Sequence, residues 1–153
     1  RLLIQRGLSA IERARETAAR AAAPAGTYLL QAELAACHAR ANIPEATDWA
    51  RIVGIYGALA AISPSPVIEL NRAVALGMLM GPDAGLKIVD ALAEEDALKN
   101  YYLLPAVRGD FLEKLSRFDE ASREFEQAAA LTKNETERAV MLKRAAAARS
   151  RFQ

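Results

Sequence analysis

The stretch from Gly109 to Leu131 reads GDFLEKLSRFDEASREFEQAAAL and decides the fold. Apolar residues recur at helical spacing on both sides of a short turn near Arg117, which predicts a helical hairpin. Its second helix carries Ala121, Phe125 and Ala128, a small–large–small series. The two alanines allow neighbouring helices to approach closely, and Phe125 fills the groove between hairpins. We therefore predict closely packed antiparallel helices in this part of the chain.

This spacing resembles the tetratricopeptide repeat (TPR), a helical hairpin that stacks against further copies of itself. Two weaker copies lie upstream, the first at Asp83-Ala84, Ile88 and Ala91 and the second at Ile52, Tyr56, Leu59 and Pro64. Three positions depart from the repeat, because Pro105 and Arg108 stand where it prefers apolar residues and Lys133 replaces its closing proline. The repeats are degenerate, and a generic α-hairpin bundle is the alternative.

The remaining sequence is also helical by periodicity, with proline and glycine at the breaks. We predict eight helices, at about residues 1–22, 26–42, 48–62, 66–79, 82–94, 100–115, 117–131 and 135–151. Thr47 or Asp48 caps the third helix, and Asn134 with Glu137 gives the eighth a capping-box start. No segment alternates with period two. The predicted class is all-α, a short degenerate TPR-like right-handed array of antiparallel helices in a single domain over residues 1–153.

Composition and charge exclude several function classes. The 153 residues are 52% hydrophobic and 25% charged, with a net charge of +1, so no strong field attracts nucleic acid. We expect no direct DNA binding. The single cysteine, Cys37, suits a reducing cytoplasm, and neither a membrane span nor a signal peptide is visible. The chain opens at Arg1 inside a helical pattern, so we expect a C-terminal piece of a longer protein.

No catalytic, metal or cofactor site is predicted. His38 is the only histidine, and the adjacent Cys37 would point about 100° away from it on a helix, so the two share a ligand poorly. Gly77, Gly81 and Gly85 lack the lysine and hydroxyl residue of a phosphate-binding loop and follow no strand. We therefore expect a protein that is not an enzyme.

The candidates for contact with a partner are Trp49, Asn71, Arg72 and Arg108. Asn71 and Arg72 interrupt an apolar helix, and in TPR arrays such a polar pair on a first helix often faces a peptide. The structural alternative is that Asn71 bonds a neighbouring turn and Arg72 reaches Glu69 or Asp48. Trp49 likewise either forms an exposed recognition corner or packs against the preceding hairpin.

Four segments resemble, in order and spacing, the C-terminal extension of one group of extracytoplasmic-function (ECF) sigma factors. They are YLLQAELAACHA at 28–39, TDWARIV at 47–53, SPSPVIELNRAVA at 63–75 and NETERA at 134–139. The resemblance covers nearly the whole chain and is more specific than any single TPR position.

The resemblance implies a regulatory, TPR-like domain that acts in transcription initiation. The promoter-recognition domains of such a factor (sigma-2 for the −10 element and sigma-4 for the −35 element) would precede residue 1 and are absent here. The implied partners are those sigma domains or the RNA polymerase core. A small YCII-related (DGPF-type) protein is a further candidate, because genes of that type often neighbour genes of the family. A free-standing TPR adaptor remains the alternative.

Overall fold

The computed structural model describes residues 25–40 and 47–152. These residues form seven α-helices: α1 Ala25–Arg40, α2 Trp49–Ile62, α3 Pro66–Met80, α4 Pro82–Leu92, α5 Leu103–Lys114, α6 Phe118–Leu131 and α7 Glu135–Phe152. The described ranges contain no strand, which confirms the all-α class. A 3-10 helix, Asp96–Leu98, lies between the helices predicted at 82–94 and 100–115. The helix predicted at 1–22 lies outside the described residues.

The helices belong to two compact units, the first ending at Leu79 and the second beginning at Met80. In the first unit α1 packs against α2, and in the second each of α4, α5 and α6 packs against the helix that follows it. In these four pairs, helices that are consecutive in sequence are neighbours in space, as hairpins require. The single domain over 1–153 and its right-handed arrangement stay predictions.

The first unit is built around one apolar cluster, formed by Leu34, Cys37, Ile52, Ile55, Tyr56, Leu59 and Ala75. Ile52, Tyr56 and Leu59, three residues of the second weaker copy of the repeat, are buried on α2. Burial raises the pKa of the Tyr56 phenol well above its usual range. Asp48 is the N-cap of α2, because its Oδ1 accepts a hydrogen bond from the Arg51 backbone N–H at 3.1 Å.

Two turns show how local sequence sets the helix boundaries. Gly81 precedes α4 with φ +105°, a conformation that L side chains rarely adopt, and Pro82 then starts the helix. After α5, Ser116 adopts φ +62°. The Arg117 N–H donates to Leu112 O at 2.9 Å and the Ser116 N–H to Glu113 O at 3.0 Å. These two bonds form a Schellman motif in which serine occupies the position usually held by glycine.

The hairpin of α5 and α6 confirms the predicted small–large–small series. Ala121, Phe125 and Ala128 are fully buried. In α4 the predicted copy is out of register by one residue, because Ala91 is exposed while Gly85, Val89 and Leu92 are buried. Larger side chains at Val89 and Leu92 gain more from burial than Ala91 does, and this turns the helix to the register observed.

The start of α7 carries the predicted cap. Asn134 Oδ1 accepts a hydrogen bond from the Glu137 backbone N–H at 3.0 Å. The buried Glu137 carboxylate also accepts one from Thr132 Oγ1 at 3.0 Å. Arg138 donates to Ala129 O at 3.1 Å and to Thr132 O at 2.8 Å, so it occupies carbonyl groups at the end of α6. The junction between α6 and α7 is therefore held by side chains from both sides.

Candidate partner-binding surface

The four candidate residues fall in two neighbourhoods. Trp49, Asn71 and Arg72 belong to the first unit, and Arg108 belongs to the second. Trp49 is half-buried and packs against the apolar cluster of the first unit. Its position directly after the Asp48 cap agrees with the structural alternative. Its role in partner contact stays a prediction.

Asn71 and Arg72 lie side by side on α3, and both are half-buried. Arg72 forms a bidentate ion pair with Glu69, with Nε to Oε1 at 3.1 Å and Nη2 to Oε2 at 3.0 Å. The hydrogen bonds to Glu69 raise the pKa of the Arg72 guanidinium. The pair spans one turn of a single helix, so it neutralises the charge of α3 locally and leaves Asn71 beside it as an uncharged polar group.

Arg108 on α5 connects three helices of the second unit. Its Nε donates to Asp90 Oδ1 on α4 at 2.9 Å, and its Nη1 donates to Glu124 Oε1 on α6 at 2.9 Å. The side chains of Arg108 and Glu124 are only 24% and 20% exposed, so solvent screens this contact less than a surface pair. We call Asp90, Arg108 and Glu124 the Arg108 bridge.

Arg144 on α7 forms a second connection between helices. Its Nη2 donates to Asp110 Oδ1 at 2.8 Å and to Glu113 Oε1 at 3.3 Å, both on α5. Its guanidinium lies 4.4 Å from the centroid of the buried Phe125 ring on α6. One side chain therefore combines ion pairs and a cation–π contact across α5, α6 and α7.

Two carboxyl groups of these connections have opposite pKa shifts. Burial raises the pKa of Asp110, but hydrogen bonds and charges from Arg144 and Lys114 outweigh it, and the net shift is downward. Burial also raises the pKa of Glu124, and here the attraction of Arg108 does not compensate, so the net shift is upward. The folded protein therefore disfavours the ionised form of Glu124, relative to the unfolded chain.

The sequence indicated Arg108 but neither its partners nor the contacts of Arg144. Asp90 and Glu124 are separated from Arg108 by 18 and 16 residues, spacings that no helical periodicity highlights. Asp110 and Arg144 are 34 residues apart, the length of one TPR. Only the 34-residue period of a regular TPR could have indicated from the sequence that Asp110 and Arg144 form an ion pair.

The described surface also carries exposed large apolar side chains, namely Leu29, Ile62, Met78, Leu79, Met80 and Leu142. Three of them are consecutive at the end of α3. The helical pattern had placed Leu29 inward, and the structure places it at the surface. In residues 25–40 and 47–152, no group of three histidine, cysteine or acidic side chains is arranged to hold a metal ion. No helix within those ranges combines the length and apolarity needed to span a membrane. The surface thus offers apolar groups and paired charges.

Neither a protein-family model nor a solved structure matches the chain. The chain is similar to an uncharacterized protein of Rhizobium meliloti (strain 1021), with 46% identity over 114 residues. The match covers 74% of this chain but only 26% of that protein. The chain therefore spans about a quarter of the length of the curated relative that it matches.

Proposed function

We propose that this chain is a protein-interaction module of TPR-like hairpins that regulates a bacterial sigma factor of which it is part. In this role it binds the promoter-recognition domains of its own protein or the RNA polymerase core during transcription initiation. A YCII-related protein is a further candidate partner. The module performs no chemistry, uses no cofactor and acts in the cytoplasm.

The observation that carries the interaction role is the hairpin of α5 and α6. Its helices approach closely at Gly109 and Phe125, and the Arg108 bridge and Arg144 hold the neighbouring helices to it. Such pairwise packing of consecutive helices is how repeat modules build extended binding surfaces. The half-buried Asn71 and Arg72 on α3 supply polar groups beside apolar ones, a combination suited to protein contact.

The sigma-factor assignment is supported by the ordered resemblance of four sequence segments. Two of these segments contain helix caps that the fold uses, Asp48 before α2 and Asn134 before α7. The Rhizobium meliloti relative supports a module within a longer chain, because the matched segment is 26% of that protein.

The test is a promoter-reporter assay of the full-length gene with and without residues 1–153. We expect deletion to change transcription from the cognate promoter while the protein level stays the same. Affinity capture with the full-length protein should retain RNA polymerase, and an Arg72→Ala, Asn71→Ala double variant should weaken this retention. A gene that encodes no promoter-recognition domain upstream would refute the proposal.

A free-standing TPR adaptor is the second candidate, and the hairpin packing of α4 to α7 favours it equally. An adaptor would bind a peptide or helper protein in the absence of any sigma domain. The two candidates differ in the reporter assay. An unchanged reporter together with stable capture of a protein unrelated to transcription supports the adaptor.

A further inference from the structure

The sulfur atoms of the chain divide into an exposed pair and a buried pair. The sequence contains three methionines and one cysteine. Met78 and Met80, in the last turn of α3, are 40% and 69% exposed, and Leu79 between them is 42% exposed. Met141 on α7 is 1% exposed and Cys37 on α1 is 6% exposed. Solvent therefore reaches two methionine side chains that are close in sequence, while the other two sulfur residues lie in the core.

The local geometry keeps both exposed side chains accessible. Residues two apart on a helix point roughly 160° away from each other, so Met78 and Met80 lie on different sides of α3. The helix ends directly after them, because Gly81 adopts φ +105° and Pro82 starts the next helix. Exposure on two sides of one helical turn indicates that an oxidant in solution can approach either thioether.

We propose that Met78 and Met80 form a reversible oxidation site for hydroperoxides. The thioether sulfur attacks one oxygen of hydrogen peroxide, the O–O bond breaks, and the other oxygen leaves as water after proton transfer. Sulfur is oxidised to the sulfoxide and the peroxide is reduced, so atoms and electrons balance. The same exposure gives methionine sulfoxide reductases access for the reverse reaction. This inference is independent of the proposed function.

The oxidation changes the polarity of the protein surface and leaves the packing of the core unchanged. The last turn of α3 exposes the apolar side chains of Met78, Leu79 and Met80 around the helix, and we call these three side chains the patch. Two sulfoxides make it polar. Met141 and Cys37 are protected by burial, so packing around them is unaffected. The patch therefore changes its capacity for apolar contact while the helices remain folded.

The test is a time course of the folded full-length protein in dilute hydrogen peroxide, followed by peptide mass spectrometry. Met78 and Met80 should each gain one oxygen. Met141 should be oxidised at least about tenfold more slowly, because oxidant reaches its sulfur only when the fold opens locally. In denaturant all three should react at similar rates. Equal rates at Met78, Met80 and Met141 in the folded protein would overturn the assignment.

A second measurement tests the change of surface chemistry. The oxidised protein should elute earlier from a hydrophobic-interaction column than the untreated protein, and treatment with sulfoxide reductases should restore its elution. The Met78→Leu, Met80→Leu double variant keeps the patch apolar and should show no peroxide-dependent shift. A shift of equal size in this variant, or none in the parent after both sites are oxidised, contradicts the proposal.

Discussion

Gly109 on α5 lies directly against the ring of Phe125 on α6, so that a Cβ atom at position 109 would stand 2.8 Å from Phe125 Cε1. That distance is shorter than carbon atoms tolerate without displacement. The Phe125 ring is fully buried, and Arg144 lies against it, so the ring has little room to move. The approach of α5 to α6 thus depends on the absence of one methyl group.

Replacing Gly109 with alanine should destabilise the fold by about 1–3 kcal/mol, because the added methyl overpacks the contact with Phe125. The net loss is smaller by up to about 1 kcal/mol, the amount by which alanine favours a helix over glycine. Chemical denaturation monitored by circular dichroism measures the difference. Combining Gly109→Ala with Phe125→Leu should cost less than the sum of the single changes, since the smaller side chain makes room for the methyl.

Gly57 on α2 provides the matched control. A Cβ built there meets nothing within 4 Å, and the residue is exposed in the middle of a helix. Gly57→Ala should therefore stabilise the protein by up to about 1 kcal/mol through helix propensity alone. Equal effects of the two alanine substitutions would show that the Gly109 contact does not constrain the hairpin.

Ser116 should be improved by replacement with glycine. It holds φ +62° in the turn between α5 and α6, a conformation that costs an L residue about 1–2 kcal/mol. Because glycine loses more backbone entropy on folding, the expected net gain in the free energy of unfolding is about 0.5–1 kcal/mol. Thermal and urea unfolding measure the gain. Ser116→Ala is the control, and it should give no such increase, because alanine has the same steric cost.

The sequence predicted the helices well because their signals are local. Periodicity, proline at Pro66 and Pro82, and the caps at Asp48 and Asn134 all act within one turn of the residue concerned. The register of α4 was wrong by one residue, because apolar residues lie on more than one face of Gly85–Leu92 and only tertiary packing selects the face that is buried. Hydrophobic periodicity predicts which residues are helical more reliably than it predicts which face of the helix is buried.

The candidate surface was less predictable than the helices. The bond from Arg72 to Glu69 spans three residues and follows from helical geometry, so the sequence indicated it. The bridge from Arg108 to Asp90 and Glu124, and the contact of Arg144 with Phe125, join helices far apart in sequence. Their existence depends on the packing of α4 to α7, which no single-sequence pattern specifies.

Asp110 and Glu124 should respond to pH in opposite directions. The folded-state pKa of Asp110 is lowered, so its contribution to stability is present above its unfolded pKa and is lost as pH falls through the folded pKa. The folded-state pKa of Glu124 is raised, so its contribution is present at low pH and is lost as pH rises through that pKa. Unfolding free energies measured from neutral pH to about pH 3 distinguish the two groups.

Asp110→Asn should therefore reduce the loss of stability on acidification and should destabilise the protein at neutral pH. Glu124→Gln removes a carboxylate whose burial outweighs its attraction to Arg108, so it should cost less at neutral pH than Asp110→Asn. Each variant needs the parent measured at the same ionic strength, because salt screens both ion pairs. Identical pH profiles for the two variants would contradict the opposite shifts.

The Arg108 bridge should hold α4 to the hairpin of α5 and α6. Arg108→Met keeps much of the aliphatic stem but removes both hydrogen bonds, and it leaves the largely buried Glu124 without its cation. Hydrogen bonds to charged groups contribute about 1.5–3 kcal/mol, so the free energy of unfolding should fall by about that amount. Amide hydrogen exchange should increase first in α4, since Asp90 is the link of that helix to Arg108.

Arg123→Met is the control for the loss of an arginine as such. Arg123 is also on the second unit and pairs with Asp119, but its side chain is 69% exposed and the pair lies within α6 alone. An exposed pair of this kind contributes roughly 0–1 kcal/mol, and its removal should leave exchange in α4 unchanged. Equal effects of Arg108→Met and Arg123→Met on the free energy of unfolding and on amide exchange in α4 would contradict this prediction. Apolar packing alone would then hold α4 against α5.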